Sequence, residues 1–333
     1  MLCRKLVPLL VLLLAATAAV AQAQDFSIDA VSPEVPIGGS EADIYISGLG
    51  PPFVWIQETT LGLLAGSEEM DAFSYGIDQI VPAGSANWVN FFYSVDRLSS
   101  GFGGAVTIEA SGNGAAGDQF RVTVDGNGVV IRPPILWSDA TGHGLTPLPG
   151  ESDLDAHSGP VGQMAPVYFS VSPTALPTAS VRWGMPGLSA ADILYVAAPG
   201  AGVTPTVYAS EAALSLAPGD DIDAVAISDR GPTMGVLDPG DVVYISLTPS
   251  SPSLTALAMS PASVIQIYPA PAVEIFPPAA LDLIVTDNLN AMTGYDPGPG
   301  VPMFSPWGFI LLPFLLAAAA AFLITRRRVC VRT

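Results

Sequence analysis

The sequence predicts an all-β protein made of four tandem repeats, arranged as a small β-propeller. Two short patterns recur four times each along the 333 residues, and the chain contains 33 Gly and 32 Pro. This glycine and proline content disfavours long helices and suits short strands joined by turns. A recurring period in such a sequence is typical of repeat architectures, in which each unit packs against its neighbours.

The first pattern is an apolar–Ser–apolar alternation that predicts one strand per repeat, with one face buried. Its serines are 67, 76 and 76 residues apart (94 − 27, 170 − 94, 246 − 170). Loops rich in Gly, Ser or Pro follow, and then two further strands. The first of these strands is predicted at 42–46, 117–122, 191–196 and 263–267, and the second at 53–56, 129–131, 206–208 and 273–276. In the second repeat, the residues 125–128 between them (Asp-Gly-Asn-Gly) predict a tight hairpin turn.

The second pattern closes each repeat: a leucine-rich segment, a turn residue, and then acidic–apolar–acidic–Ala. It occupies 61–72, 145–156, 212–224 and 279–291, with Asn288 and Asn290 replacing the acids in the last copy. The repeats therefore run over about 26–92, 93–168, 169–244 and 245–296.

The first and last repeats are incomplete in a complementary way. The strand 26–31 stands alone at the start, and the last repeat stops near Asp296, where the next such strand is due. Pairing of the first strand with the last repeat would close a ring and remove exposed sheet edges. A row of β-sandwich-like modules is the alternative architecture.

The N-terminus has the features of a secretory signal peptide over residues 1–23. Arg4 and Lys5 precede an apolar core, and Ala21 and Ala23 form an A-x-A cleavage site before Gln24. An uncleaved anchor helix is the alternative. The pattern predicts export of the remaining chain.

The C-terminus has the features of a transmembrane helix over residues 307–325. These nineteen uncharged residues would span about 28 Å, enough to cross the hydrocarbon core of a bilayer. Arg326, Arg327 and Arg328 follow directly and predict a cytoplasmic tail, 326–333. Residues 24–296 are then an extracytoplasmic domain held at the inner membrane, with 297–306 as a Pro/Gly spacer and sorting motif.

The residues around the start of this helix resemble a known sorting signal. The order Ile-Pro-Thr-Leu-Ser-x-Trp-Gly, then an apolar span and an Arg cluster, is usual for IPTL-CTERM signals of Gram-negative bacteria, which are related to the PEP-CTERM signals handled by exosortases. Identical here are Pro302, Ser305, Trp307 and Gly308, while Val301, Met303 and Phe304 depart from the pattern. The resemblance implies recognition by a membrane sorting or processing enzyme and movement to the cell surface.

Charge and cysteine content exclude several function classes for residues 24–296. All 30 acidic residues but only five arginines lie there, which gives a net charge of 5 − 30 = −25. Such a surface repels nucleic acid and attracts cations. Cys3 and Cys330 both lie outside these residues, so disulfides and thiolate metal sites are excluded.

Carboxylates of the second pattern are the leading candidate site. Asp221 and Asp223 share a strand face and Asp220 precedes them, so together they are candidate Ca²⁺ ligands. The alternative is structural: the three would cap the preceding turn and face water on the outer side of a strand.

Other chemistry has weaker support. A glycosidase carboxylate pair could lie among the 30 acids, and His143 and His157 are too few for a zinc motif. The glycines of 101–104 are interpreted as a turn before a strand. Four tryptophans could stack on sugar rings: Trp55, Trp88, Trp137 and Trp183. Such residues more often belong to the core, which is the favoured interpretation here.

The sequence thus predicts an exported, membrane-anchored protein with a non-catalytic structural or binding role in the envelope or extracellular matrix. Its ligand would be a polysaccharide or a protein, and no cofactor is predicted unless the carboxylates of the second pattern bind calcium. Two alternatives are a propeller hydrolase or lyase acting on polysaccharide, and a calcium-stabilised adhesin.

Overall fold

A computed structural model describes residues 25–29, 32, 39–47, 52–66, 68–75, 89–96, 99–111, 115–145, 153–159, 166–200 and 202–293. All of them belong to one compact unit, 23–296. The signal peptide, the sorting motif and the apolar segment 307–325 lie outside the described residues. Within the described part of the chain, no helix has the length and apolar character needed to cross a bilayer.

The described residues form four antiparallel sheets of four strands each, which we call blades. Blade 1 contains β1 (Asp25–Ile28), β2 (Ile44–Ile46), β3 (Phe53–Ile56) and β16 (Leu289–Met292). Blade 2 contains β4 (Ala72–Ser74), β5 (Val89–Ser94), β6 (Gln119–Val124) and β7 (Val130–Ser138). Blade 3 contains β8 (Ala156–Ser158), β9 (Val167–Ser170), β10 (Ile193–Val196) and β11 (Thr206–Ala209). Blade 4 contains β12 (Ile222–Ser228), β13 (Val242–Leu247), β14 (Val264–Tyr268) and β15 (Val273–Phe276).

The blades form a ring, and the architecture is a four-bladed β-propeller rather than a row of sandwiches. The innermost strand is the first along the chain in blades 2, 3 and 4 and is β16 in blade 1, and β4, β8, β12 and β16 lie side by side around the axis. The ring closes between the two ends of the domain, because β1 pairs antiparallel with β16 and Phe26 lies opposite Met292. The closure expected from the incomplete repeats is therefore confirmed.

Apolar side chains pack mainly between neighbouring blades. One buried cluster joins Trp55 and Ile44 of blade 1 to Phe73, Phe91 and Phe120 of blade 2. Three further clusters join blades 3 and 4, blades 4 and 1, and the end of blade 2 to blade 3. No blade can therefore bury its faces alone, which is why the domain needs the whole ring.

The serines of the first repeated pattern connect the blades by hydrogen bonds. Each hydroxyl donates to a backbone carbonyl at the start of the next blade's innermost strand. The four bonds are Ser27 to Met70 (3.5 Å), Ser94 to Leu154 (3.4 Å), Ser170 to Ile222 (3.3 Å) and Ser246 to Leu289 (2.9 Å). The last bond runs from blade 4 to β16 and so belongs to the ring closure.

The shortest of these bonds gives a stability prediction. We expect Ser246→Ala to lower the free energy of unfolding by about 1–2 kcal/mol, because the buried Leu289 carbonyl loses its hydroxyl donor. Urea unfolding of residues 24–296 measures the change. Ser250→Ala, at an exposed serine of the same blade, is the control and should change stability by less than about 0.5 kcal/mol. Equal stability of the two variants would contradict a role for Ser246 in joining the blades.

Short helices occupy the loops between the second and third strands of three blades. They are α1 (Gly104–Ser111), α2 (Leu176–Trp183) and α3 (Pro252–Leu257). The interpretation of 101–104 as a turn before a strand is therefore wrong. Gly101, Gly103 and Gly104 do form a turn with positive φ, but a helix and not a strand follows it, although three of residues 105–110 are β-branched.

Four single-turn 3₁₀ helices complete the described elements, at Glu58–Leu61, Ala115–Gly117, Ala140–His143 and Pro278–Ala280. The hairpin predicted at 125–128 is confirmed, and the Asp125 carboxylate accepts bonds from the backbone N–H groups of Asn127 (2.8 Å) and Val129 (3.0 Å). A Cβ at Gly128 would overlap the Trp55 carbonyl, so this turn needs glycine to pack against blade 1.

Candidate metal centre on the propeller axis

The acidic pattern lies at the entrance to each innermost strand. Its four copies are Glu69–Asp71 before β4, Asp153–Asp155 before β8, Asp221–Asp223 at the start of β12, and Asn288–Asn290 at the start of β16. Because these strands surround the axis, the four copies meet at one end of it. We call these residues, with Asp29 and Asp96 beside them, the axial ring.

Backbone hydrogen bonds hold the four copies in equivalent positions. The residue two positions after each serine of the first repeated pattern donates its N–H to the carbonyl of the first residue of the acidic pattern in the same blade. The bonds are Asp29 to Asn288 (3.2 Å), Asp96 to Glu69 (3.2 Å), Ser172 to Asp153 (3.3 Å) and Thr248 to Asp221 (3.1 Å). The serine bonds to the middle residue of the pattern fix the same segments from the preceding blade. The two repeated patterns are therefore parts of one joint that occurs four times.

The ring is narrow enough for carboxylates of different blades to influence one another. The charges that raise the pKa of Asp71 include Asp153 and Asp155 of blade 3. Those that raise the pKa of Asp223 include Glu69, which belongs to the blade on the opposite side of the axis. The acids thus form one electrostatic cluster across the ring and not four separate surface groups.

Burial dominates the ionisation of this cluster. Desolvation raises the pKa of Asp71, Asp155 and Asp223 well above the usual value for aspartate, and repulsion from neighbouring carboxylates raises it further. Desolvation also raises the pKa of Asp221 to about 7, although a hydrogen bond with Asp155 acts in the opposite direction. Without a bound cation, part of the ring is therefore protonated at neutral pH.

Several ring oxygens are buried without a hydrogen-bond donor. They are Asp221 Oδ1, Asp223 Oδ2 and Asn288 Oδ1. Asp223 is 7% exposed and Asn288 is 2% exposed, so solvent access is small. The Asn288 amide nitrogen donates to the Asp29 carboxylate (3.2 Å), which orients the amide and leaves its oxygen as an acceptor. A buried acceptor without a donor is unfavourable unless a cation or a water fills the place.

One group in the ring has the dimensions of a cation site. Glu69, Asp71 and Asp96 each offer a carboxylate oxygen, and these three oxygens lie within 4.8 Å of one another. Calcium binds oxygens at about 2.4 Å, so two ligands on opposite sides of the ion lie about 4.8 Å apart. Among the residues that the structure describes, this is the group of three or more His, Cys, Asp or Glu side chains with such spacing.

The three acids singled out from the sequence have different positions. Asp221 and Asp223 belong to the axial ring, but Asp220 does not. Its carboxylate accepts bonds from the backbone N–H groups of Ala217 (2.7 Å) and Ser253 (2.8 Å) and so holds a turn. The structural interpretation is therefore correct for Asp220, and the outward, water-facing orientation it assigned to the strand is wrong, because β12 is innermost and Asp223 is buried.

The sequence interpretation missed the blade 2 and blade 3 members of the ring and both flanking acids. A signal for them was present, because Asp71 and Asp155 occupy the same place in the repeat as Asp223. Asp29 and Asp96 likewise both lie two residues after the serine of the first pattern.

The two histidines do not form a metal site with a third ligand among the described residues. Both are buried, and desolvation lowers the pKa of His143 to about 4 and that of His157 to about 3. His143 Nε2 lies 3.1 Å from Gln119 Oε1. Both imidazoles are therefore neutral core groups at physiological pH.

The tryptophans that the structure describes are packing residues. Trp55 and Trp183 are 6% and 8% exposed, and their indole N–H groups donate to Gly126 (3.3 Å) and Gly144 (2.9 Å). Trp137 packs edge-on against Phe92. Trp88 lies outside the described residues. The core role is therefore confirmed for Trp55 and Trp183.

Comparisons with known proteins leave the chain without an assigned relative. No protein-family model, no curated protein and no solved structure matches it.

Proposed function

We propose that this protein is an exported, membrane-anchored module with a non-catalytic structural or binding role in the envelope or extracellular matrix of a Gram-negative bacterium. The sequence features at both ends support export, anchoring and sorting: the signal peptide 1–23, the apolar segment 307–325 and the IPTL-CTERM-like residues before it. The body that these ends deliver is a closed four-bladed ring.

The observation that supports a structural role is that the repeated residues connect neighbouring blades. The serines and the acidic pattern, which recur in every repeat, meet in the four joints between blades. Their repetition is therefore explained by the construction of the ring. A site for one substrate would instead be expected to combine different residues from different blades.

Burial of the acids argues against the hydrolase or lyase alternative. Asp71, Asp153 and Asp223 are each less than a tenth exposed. Glycoside hydrolysis needs two carboxyl groups on either side of a sugar chain, and such a chain must reach them. The burial of the axial carboxylates therefore supports a non-catalytic role.

A fractionation experiment tests the location. We expect the full chain, produced in a Gram-negative host, to be found in the membrane fraction. Added protease should reach its body after the outer membrane is permeabilised. If the protein has been sorted to the cell surface, protease should reach the body in intact cells as well. A chain that ends at Asp296 should be exported and soluble. Retention of either chain in the cytoplasm would contradict the proposal.

An incubation with polysaccharide tests the role. We expect purified 24–296 to release no reducing ends and no unsaturated sugars from the extracellular polysaccharide of the host, whether or not it binds that polymer. A time-dependent release that Asp155→Asn abolishes would instead establish the polysaccharide-degrading alternative.

A further inference from the structure

We propose that the axial ring binds a calcium ion, with Glu69, Asp71 and Asp96 as carboxylate ligands and with buried oxygens of blades 4 and 1 facing the same ion-binding region. This inference goes beyond the proposed function, which does not require a metal. It concerns a site that holds the four blades together from the inside.

The first support is the assembly of like charges at one point. The innermost strands and the backbone bonds of the flanking residues bring eight carboxyl groups to one end of the axis: Asp29, Glu69, Asp71, Asp96, Asp153, Asp155, Asp221 and Asp223. They come from all four blades, since Asp29 belongs to blade 1. Mutual repulsion of ionised carboxylates would push the blades apart, whereas a divalent cation among them would attract every blade toward the axis.

The second support is independent of charge. Asp223 Oδ2 and Asn288 Oδ1 are buried by more than nine-tenths and have no hydrogen-bond donor. Asp223 lies on β12 and Asn288 directly precedes β16, and these two innermost strands are neighbours. Asn290, two residues after Asn288, donates to the Met70 carbonyl (3.1 Å), which lies between Glu69 and Asp71 in the chain. An amide oxygen and a carboxylate oxygen, both without donors, are the ligand types that calcium accepts.

The third support is size. The oxygens of Glu69, Asp71 and Asp96 lie within 4.8 Å of one another, which matches two opposite ligands at calcium–oxygen distances of about 2.4 Å.

The ligand chemistry favours calcium over other cations. The polar side chains of the ring are all carboxylates or amides, whereas zinc and copper sites are usually built from imidazole and thiolate ligands. Magnesium requires near-ideal octahedral geometry at shorter distances and retains several waters, whereas calcium takes six to eight oxygens in an irregular arrangement. A ring built from four non-identical copies of one pattern suits the more tolerant ion.

Calorimetric titration and thermal unfolding test the proposal. The protein is residues 24–296, which contain all sixteen described strands and close the ring among themselves. After treatment with chelator, we expect CaCl₂ to bind with a stoichiometry of about one. At a free concentration 100 times the Kd, the Tm should rise by roughly 5 °C or more. MgCl₂ at the same concentration should give a clearly smaller shift.

Variants locate the ion. Asp71→Asn and Asp223→Asn should each weaken calcium binding on the order of tenfold or more. Both should keep or raise the Tm measured in chelator, because an amide replaces a buried carboxyl group that is costly to ionise there, so weaker binding cannot be attributed to misfolding. The matched control is Asp282→Asn, at an exposed aspartate outside the ring, which should bind calcium like the original chain.

Three results would overturn the proposal. The first is the absence of both binding heat and a Tm shift at about 10 mM calcium, roughly 5 times the highest calcium concentration found outside cells. The second is unchanged calcium affinity in both ring variants. The third is a magnesium effect equal to that of calcium, which would indicate screening of negative charge and not a site.

Discussion

A chain that ends at Asp287, before β16, is expected to lose its cooperative fold, whereas a chain that ends at Asp296 is expected to keep it. The strand β16 supplies the innermost position of blade 1, where Phe26 lies opposite Met292 and Ser27 opposite Ala291. Its removal exposes the inner edge of β1 and the faces of both neighbouring blades.

The expected loss is large because β16 is buried throughout. Leu289 and Met292 are 0% and 1% exposed, and burial of each side chain contributes about 1.5–3 kcal/mol. The strand ladder and the Ser246 bond to Leu289 add to this. The sum approaches the total stability of a typical domain, about 5–15 kcal/mol.

Circular dichroism during urea unfolding measures the effect. The shortened chain should show no cooperative transition and should bind a hydrophobic dye. Ala291→Asp keeps the full length but places a charge at a buried position of β16, so it should cause a comparable loss. A cooperative transition in both chains, with the midpoint of the original, would show that ring closure does not stabilise the domain.

The architecture could be predicted because each repeated pattern indicates both a local strand and the position of that strand in the four-fold arrangement. The strands Phe53–Ile56 and Val273–Phe276 have the predicted bounds, and the solitary first strand correctly indicated the closure. The spacing of the patterns shows which residues occupy the same position in each repeat. Because equivalent residues must occupy equivalent positions in the four blades, the spacing also limits the possible strand orders.

The depth of the acidic strands could not be predicted in the same way. Alternation shows which residues share a face, but it does not show whether that face points to solvent. The innermost strand β12 is buried on both faces over Ile222–Ile227, although two aspartates adjoin or belong to it. Acids are usually exposed, so the pattern favoured a water-facing strand. The arrangement of the four copies around one axis explains why these acidic strands are buried.

A second set of aspartates was also missed. Asp43 and Asp192 each stand just before the third strand of a blade, and each carboxylate accepts two backbone N–H groups. Asp43 binds Ser40 (3.0 Å) and Glu58 (2.7 Å), and Asp192 binds Ser189 (2.9 Å) and Glu211 (2.7 Å). Asp118 has the equivalent place in blade 2 and accepts from Ala140 (2.7 Å). The recurrence of Asp at this point was visible in the sequence, but its partners are distant along the chain.

Without calcium, the body is expected to become less stable as the pH rises from about 4 to about 7. Burial raises the pKa of Asp25, Asp118 and Asp221 to about 7, and it raises the pKa of Asp71, Asp155 and Asp223 well above the usual value for aspartate. The unfolded chain releases these protons near pH 4, whereas the folded chain retains them. The folded state therefore binds more protons in this range, and stability falls by about 1.4 kcal/mol per pH unit for each net proton.

The buried histidines act in the opposite direction but are fewer. Their lowered pKa values mean that the unfolded state binds more protons between about pH 4 and 6.5, which makes stability rise with pH there. Two histidines oppose the six aspartates just named, so the fall prevails. Asp125, whose pKa is lowered by backbone hydrogen bonds, is fully exposed and adds little.

Urea unfolding at pH 4.5, 6 and 7.5, in chelator and in excess calcium, measures this dependence. Calcium requires ionised carboxylates, so its stabilising effect should be small at pH 4.5 and largest at pH 7.5, and the fall seen in chelator should become shallower or disappear. Asp223→Asn should reduce the slope in chelator, while Asp282→Asn should leave it unchanged. A chelator-treated body that instead gains stability from pH 4.5 to 7.5 would mean that the ring carboxylates are already ionised at low pH. The folded ring would then accommodate the ionised carboxylates without a cost in stability, and no repulsion would remain for a calcium ion to relieve.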